Sequence, residues 1–451
     1  MEIRYARTTD GTHVAYQAFG EGRFDLLVLR SWHSNIEHEW AEPVLAGIYR
    51  RLASLGRVLL LDRRGTGLSD PIDPQALPTL EDRIDDIRAV MDAVGAGRIV
   101  PIGLAHGGGL CAVFAATHPE RTAGLVMWAP TWSIVRRPEE SRIADAVDAM
   151  RRGWGTLDAA TDNVRVGGPS RADDAAFVAW IQQAELLTGS AETAVGQVRL
   201  VYESSVDDVL PTIHVPTLVA WRRDSAGAEP AAYVARRIPN AVVRELPGDD
   251  HMLISGDWRT ALREIESFIA SLDGGATDDH RVLATVMFTD IVGSTDRAAA
   301  MGDRAWRELI DRHHGLVRRE LARFRGREID VAGDGFFASF DGPARAIRCA
   351  VAIRKGLGNL GLDVRIGLHA GECERVGGGL RGQAVHVGAR IGAGAAPGEI
   401  LVSSTVRDLV AGSGIEFHDA GRRHLKGVPE PWQTYRVSSV GNSDRTEGDS
   451  A

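Results

Sequence analysis

The chain has 451 residues, 44% hydrophobic and 25% charged, with a net charge of −9. A chain this long and this apolar buries real cores, which excludes disordered and fibrous classes, and at roughly 150 residues per domain it suggests two or three domains. The acidic balance argues against nucleic acid or an anionic membrane as a general partner. Three scattered cysteines, Cys111, Cys349 and Cys373, imply no disulfide framework and fit a reducing cytoplasm. Met1–Val14 lacks the basic start and apolar core of a signal peptide, and no run approaches ~18 apolar residues, so no membrane span is expected.

In chain order, Met1–Gly20 reads as an antiparallel edge hairpin around an Asp10-Gly11 turn. Buried strands follow at Phe24–Leu29, Arg57–Leu61, Arg98–Ile102, Gly124–Trp128, Pro216–Trp221 and Ala241–Leu246. Helical patterns lie between them, as at Thr79–Val94 and Gly107–His118. This alternation predicts a mostly parallel, doubly wound α/β sheet. Residues 131–210 lack strands and read as a helical lid inserted over it. Trp32, Trp128 and Trp221 fall at the C-terminal ends of strands, where open α/β sheets bind ligands, and three indoles there could wall a pocket for a small apolar ligand or simply fill the core.

The strand Arg98–Ile102 runs into Gly103-Leu104-Ala105-His106-Gly107-Gly108 and then a helix. Together with Asp62-Arg63-Arg64-Gly65-Thr66-Gly67-Leu68-Ser69-Asp70 and Gly248-Asp249-Asp250-His251, this resembles the α/β-hydrolase family over residues 1–272. The resemblance implies that His251 occupies the catalytic histidine position and that Asp224 lies near the acid position. The nucleophile elbow carries Ala105 where the family has serine. A methyl group cannot attack a carbonyl, so no serine-hydrolase turnover is expected and the site reads as vestigial.

Residues 273–281 are small, polar and acidic, and read as a linker. A second αβ pattern covers residues 282–437, and the polar tail 438–451 is expected to be disordered. In the second pattern, the strand Leu283–Thr289 delivers Asp290 at its end, ahead of Ile291-Val292-Gly293-Ser294-Thr295. Glycine and hydroxyl residues there suit a phosphate-facing turn before a helix. Asp334 lies forty-four residues on, at the tip of an expected hairpin between strand-like runs at Glu328–Ala332 and Phe336–Phe340. If the strands are neighbours, the two carboxylates converge and need a cation between them, for which Mg²⁺ or Mn²⁺ suits hard oxygen ligands. Taken singly, Asp290 also reads as a helix N-cap and Asp334 as a turn former.

Residues 282–437 resemble the class III nucleotide cyclase catalytic domain, an α+β ferredoxin-like fold. The resemblance is carried by Phe288-Thr289-Asp290-Ile291-Val292-Gly293-Ser294-Thr295, Gly333-Asp334-Gly335-Phe336, Gly367-Leu368-His369-Ala370-Gly371-Glu372, Gly382-Gln383-Ala384-Val385-His386-Val387-Gly388-Ala389-Arg390 and Leu425-Lys426-Gly427-Val428. It implies that Asp290 and Asp334, helped by the Ile291 carbonyl, hold two Mg²⁺ or Mn²⁺ ions. It further implies that Arg390 stabilises the α-phosphate, that His386 orients the ribose, and that Lys426 is nearest to the phosphate lysine. In the family each site is shared across a head-to-tail homodimer.

Two positions depart from the adenylate cyclase pattern. Asp330 stands where those enzymes usually place lysine, and Gly379 where they place aspartate or threonine. A carboxylate accepts hydrogen bonds from the adenine amino group, and equally from the two adjacent donors of guanine. Base choice between ATP and GTP therefore stays open, with ATP favoured by the architecture. The expected function is a cytoplasmic nucleotide cyclase with a retired hydrolase domain as sensor or dimerisation module. The rival is a non-catalytic signalling protein that binds nucleotide or a small apolar ligand, and a third reading is an esterase with an unusual nucleophile.

Overall fold

The computed structural model describes residues 1–31, 33–73, 76–135, 138–202, 204–272, 281–376, 379–425 and 431–441. Trp32, Lys426, the linker residues 273–280 and the tail residues 442–451 lie outside the described residues. The chain forms two compact units, Met1–Pro74 with Asp82–Val282, and Gln75–Glu81 with Leu283–Ala451. No helix among the described residues is long and apolar enough to cross a membrane.

The first unit is built on strands β1 (Arg4–Arg7), β2 (His13–Phe19), β3 (Phe24–Leu29), β4 (Gly56–Leu61), β5 (Ile99–Leu104), β6 (Leu125–Trp128), β7 (Thr217–Arg222) and β8 (Val242–Leu246). Their order in the sheet is β1-β2-β4-β3-β5-β6-β7-β8. The hairpin β1–β2 runs antiparallel, Arg4 opposite Tyr16, and β2 is antiparallel to β4. From β4 to β8 every pairing is parallel. Strands buried on both faces need near-continuous apolar sequence, and β6 and β7 are buried at every position. The helix Gly107–Thr117 is buried along its whole length, which explains why it is apolar all round. Helices Glu140–Gly153, Leu157–Gly167, Ala175–Thr188 and Ala191–Tyr202 form the insertion.

One expectation needs correction here. The sequence predicts a buried β8, yet residues 242–245 are exposed, Val242 at 36% and Val243 at 44%. It is the last strand of the sheet, so it has a neighbour on one side only. Trp128 and Trp221 are 1% and 4% exposed and lie in the buried interior.

The second unit has β9 (Arg281–Ile291), β10 (Arg327–Ala332), β11 (Gly335–Phe340), β12 (Val364–Val376), β13 (Gly379–Arg381), β14 (Ile400–Ser403), β15 (Ile415–Arg423) and β16 (Trp432–Val440). The order is β10-β11-β9-β12-β14-β16-β15, with β13 paired to β12. Arg281, assigned to the linker from sequence, starts β9, and residues 438–440, assigned to the tail, finish β16 through pairing with β15. Backbone pairing, Ile415 against Val440 and Glu416 against Ser439, carries this polar stretch into the sheet, with a register shift between Glu416 and Phe417.

The helix Gln383–Ala393 lies directly on this sheet. It buries Ala384, Val387, Gly388, Ile391 and Gly392. A Cβ on Gly367 of β12 would overlap the Gly392 nitrogen, and one on Gly388 would stand 2.6 Å from Val286 of β9. Glycine at these places lets helix and sheet approach closely.

Candidate active site

Strand pairing brings the two aspartates together. β11 runs antiparallel to β9 with Phe336 opposite Thr289, and β10–β11 is a hairpin with Ala332 opposite Gly335. The tip, Gly333-Asp334, therefore lies beside the end of β9. Gly333 takes φ +63°, a left-handed conformation that glycine adopts without strain. The Ile291 backbone N–H donates to Asp334 Oδ2 at 3.0 Å, so the carboxylate closes the tip against β9. Asp290 Oδ1 lies 3.8 Å from where a Gly335 Cβ would stand.

Arg365 on β12, which sequence reading missed, also enters this site. Its Nε donates to Asp290 Oδ2 at 2.8 Å, and its Nη2 donates to the same oxygen. An arginine within an alternating strand looks like a solvent-facing charge, and only the pairing of β12 beside β9 brings it here.

No group of three or more His, Cys, Asp and Glu side chains among the described residues is placed to hold a metal ion by itself. The donor set of the site nevertheless fits Mg²⁺ or Mn²⁺. Each carboxylate spends Oδ2 on a protein donor, while Oδ1 makes no hydrogen bond within the described residues. One or two carboxylates, completed by substrate phosphates, is the usual protein contribution to Mg²⁺ binding.

The helix Gln383–Ala393 presents His386 and Arg390, four residues apart, on its exposed face. Neither side chain hydrogen-bonds within the described residues, so both are available to a ligand or a second chain. Asp330 is exposed on β10, where its Oδ1 accepts the Val331 N–H at 2.9 Å. A register shift between Glu328 and Asp330 interrupts the pairing with β11 there. Gly379 opens β13, opposite Val376. Lys426 lies outside the described residues. His369, quoted in one of the sequence motifs, is a core residue. Its Nδ1 meets Ser403 Oγ at 2.9 Å, its ring packs edge-on against Trp432, and burial lowers its pKa to about 3.

The first unit holds a separate centre at the C-terminal ends of its parallel strands. The chain turns to opposite sides after β3 and β5, and the crevice between them is where such sheets receive ligands. There Ala105 adopts φ +49°, the conformation of a tight strand-to-helix elbow, although alanine gains nothing from it. The next residue, His106, sets Nδ1 2.6 Å from Ser31 Oγ. Burial, reinforced by His251 and Arg63, lowers the His106 pKa to about 3.

His251 sits on a loop fixed by two core residues. Trp128 Nε1 donates to the His251 carbonyl at 2.9 Å, and Arg222 donates to the carbonyls of Asp250, Met252 and Ser255. Burial and then Arg222 lower the His251 pKa to about 4. The acid position requires correction. Asp224 is exposed, and what it contributes to this loop is its backbone N–H, bonded to the Gly248 carbonyl at 3.0 Å. The residue facing His251 Nδ1 is Gly227, where a Cβ would overlap the ring, and Nδ1 is buried without a hydrogen-bond partner. Gly227, three residues beyond Asp224, thus stands against the ring where the acid is expected.

Comparison with known proteins agrees with this division. Residues 38–254 match the family model described as the alpha/beta hydrolase fold, and residues 279–439 match the adenylate and guanylate cyclase catalytic domain. An adenylate cyclase of Podospora anserina is 27% identical, over 37% of this chain and 11% of that protein. A proline iminopeptidase of Neisseria gonorrhoeae is 37% identical, over 19% of this chain and 27% of that protein. The chain thus spans about a quarter or less of the length of these curated relatives. The crystal structure of a hydrolase from Pseudomonas aeruginosa superposes with a TM-score of 0.52 at 21% identity, covering 60% of this chain and 99% of the other. The chain therefore carries an N-terminal α/β-hydrolase fold followed by a class III cyclase domain.

Proposed function

We propose that the protein is a nucleotide cyclase, converting a nucleoside triphosphate to the 3′,5′-cyclic nucleotide and pyrophosphate, with ATP favoured over GTP. The observation that carries this reading is the meeting of Asp290 and Asp334 at the end of β9, where the Ile291 N–H closes on Asp334. Asp290 and Asp334, with the Ile291 carbonyl, would hold two Mg²⁺ or Mn²⁺ ions, whose chemistry is Lewis-acid polarisation of phosphoryl oxygens.

The substrate's ribose 3′-oxygen bonds to its own α-phosphorus, its proton leaves to solvent, and the bond from that phosphorus to pyrophosphate breaks. Arg390 donates charged hydrogen bonds to the α-phosphate as negative charge gathers there. His386, one helical turn away, orients the ribose. Asp330 accepts from the exocyclic amino group of the base, Gly379 leaves room beside it, and Lys426 binds the phosphate chain. The site is completed by a second copy, the carboxylates coming from one chain and Arg390 from its head-to-tail partner.

We assign residues 1–272 to the hydrolase-like domain, 273–280 to the linker and 281–440 to the cyclase, in a cytoplasmic protein. The hydrolase-like domain acts as a sensor or dimerisation module and does not turn over esters, since Ala105 supplies no nucleophile and Gly227 no acid. A ligand there regulates only by binding active and inactive dimers differently. The rival reading, a non-catalytic nucleotide-binding protein, draws on Asp330 and Gly379, which depart from the adenylate cyclase pattern.

Incubating the purified chain with ATP or GTP and Mn²⁺ separates the two. A cyclase gives cyclic nucleotide and pyrophosphate in equal amounts, and Asp290→Ala abolishes both. Nucleotide binding with neither product from either triphosphate supports the rival.

A further inference from the structure

The helix Asp303–Arg323 brings two adjacent histidines against the hairpin that carries Asp334. Both rings pack edge-on against Phe336, His313 at 5.6 Å and His314 at 5.2 Å between centroids. Phe336 lies opposite Thr289, the residue before Asp290. His313 is fully buried, whereas His314 is partly exposed and sets Nε2 3.0 Å from the Gly333 carbonyl oxygen. A carbonyl only accepts, so Nε2 carries the proton and donates.

The turn is therefore held from both sides. On one side the Gly333 carbonyl takes the imidazole, and on the other Asp334 Oδ2 takes the Ile291 N–H. Gly333 needs such a restraint. Its backbone is left-handed, and beyond its two chain neighbours no atom lies within 4 Å of where a Cβ would stand. A glycine turn with open space on that side has several accessible conformations, and each would aim the Asp334 carboxylate differently.

We propose that His314 is a positioning residue for the cation site: by donating from Nε2 to the Gly333 carbonyl it fixes the turn, so that Asp334 presents Oδ1 to a divalent ion. This rests on the cyclase reading and concerns the affinity of that site for its metal. His314 touches neither nucleotide nor ion.

The test is Mn²⁺ binding to the full chain, followed by electron paramagnetic resonance of free Mn²⁺ in the presence of 3′-deoxy-ATP, which lacks the attacking hydroxyl. His314→Ala is expected to weaken Mn²⁺ binding about two- to tenfold, the share of one hydrogen bond. The Mn²⁺ concentration for half-maximal cyclase activity rises in step, while the KM for nucleotide at saturating Mn²⁺ changes little. His314→Gln, whose amide also donates, recovers most of the affinity. Unchanged Mn²⁺ binding in His314→Ala overturns the proposal, as does a glutamine variant no better than alanine. Asp334→Ala separates the two levels of the argument. If it abolishes Mn²⁺ binding while His314→Ala leaves binding intact, only the role of His314 falls. If Asp334→Ala itself binds Mn²⁺ like the unaltered chain, the cyclase reading falls with it.

Discussion

Arg365 on β12 grips Asp290 on β9 through Nε, at 2.8 Å, and Nη2, both directed at Oδ2. The pair is well exposed, 37% for the arginine side chain and 42% for the aspartate, so it adds little to stability. Its consequence is orientation: with Oδ2 committed, Asp290 keeps Oδ1 for other work. Arg365→Ala is expected to leave the thermal midpoint within about 4 °C of the unaltered chain. Cyclase kcat should fall roughly ten- to a hundredfold, as misplacing a catalytic carboxylate does. Activity retained in full in the alanine variant would show that Asp290 needs no such support.

The hydrolase-like centre lacks two parts. Ala105→Ser restores a hydroxyl at an elbow whose φ is already +49°. It does not restore the acid, because the residue beside His251 Nδ1 is Gly227. Ala105→Ser should therefore give no hydrolysis of a chromogenic acetate ester above the background of the unaltered protein. Ester turnover by the unaltered protein, lost on Ser31→Ala, would instead place a nucleophile at Ser31, next to His106.

His313 predicts a pH effect on stability. Both of its ring nitrogens are buried without hydrogen-bond partners. Burial, and then His314, lower its folded pKa from 6.5 to about 4. Between those values the unfolded chain binds a proton that the folded chain refuses. The stability contribution is thus full above about pH 6.5 and lost as pH falls toward 4. His313→Leu, of similar bulk, removes the titrating group and the unpaired nitrogens. Its thermal midpoint should match or exceed that of the unaltered chain at pH 8, and exceed it by about 3–6 °C at pH 5. An identical drop between the two pH values in both proteins would contradict this assignment.

What could be read from the chain alone follows how local each signal is. Asp290 and Asp334 were legible because a strand pattern and an Asp-Gly hairpin turn are both local, and strand pairing then joins them. Arg365 was not, because its neighbour is chosen by the order of strands β9 and β12. The exposure of Val242 and Val243 escaped for the same reason: an apolar run does not say whether a further strand covers it. Trp128 and Trp221 lie at strand ends as expected, yet the orientation of each indole into the core depends on side-chain packing. At the acid position a three-residue difference in a loop, Asp224 against Gly227, decides which group faces His251, and loop geometry leaves no periodic trace.

In the proposed dimer, one active centre draws Asp290 from one chain and Arg390 from another. Mixing Asp290→Ala with Arg390→Ala tests it most directly, with cyclic nucleotide formation measured for each variant and for the equimolar mixture. Each variant alone should be inactive. In the mixture half the dimers are mixed and each of these has one intact site of two, so roughly a quarter of the unaltered activity should return. A mixture that stays silent while mixed dimers are shown to form, or an Asp290→Ala variant active by itself, would contradict the account.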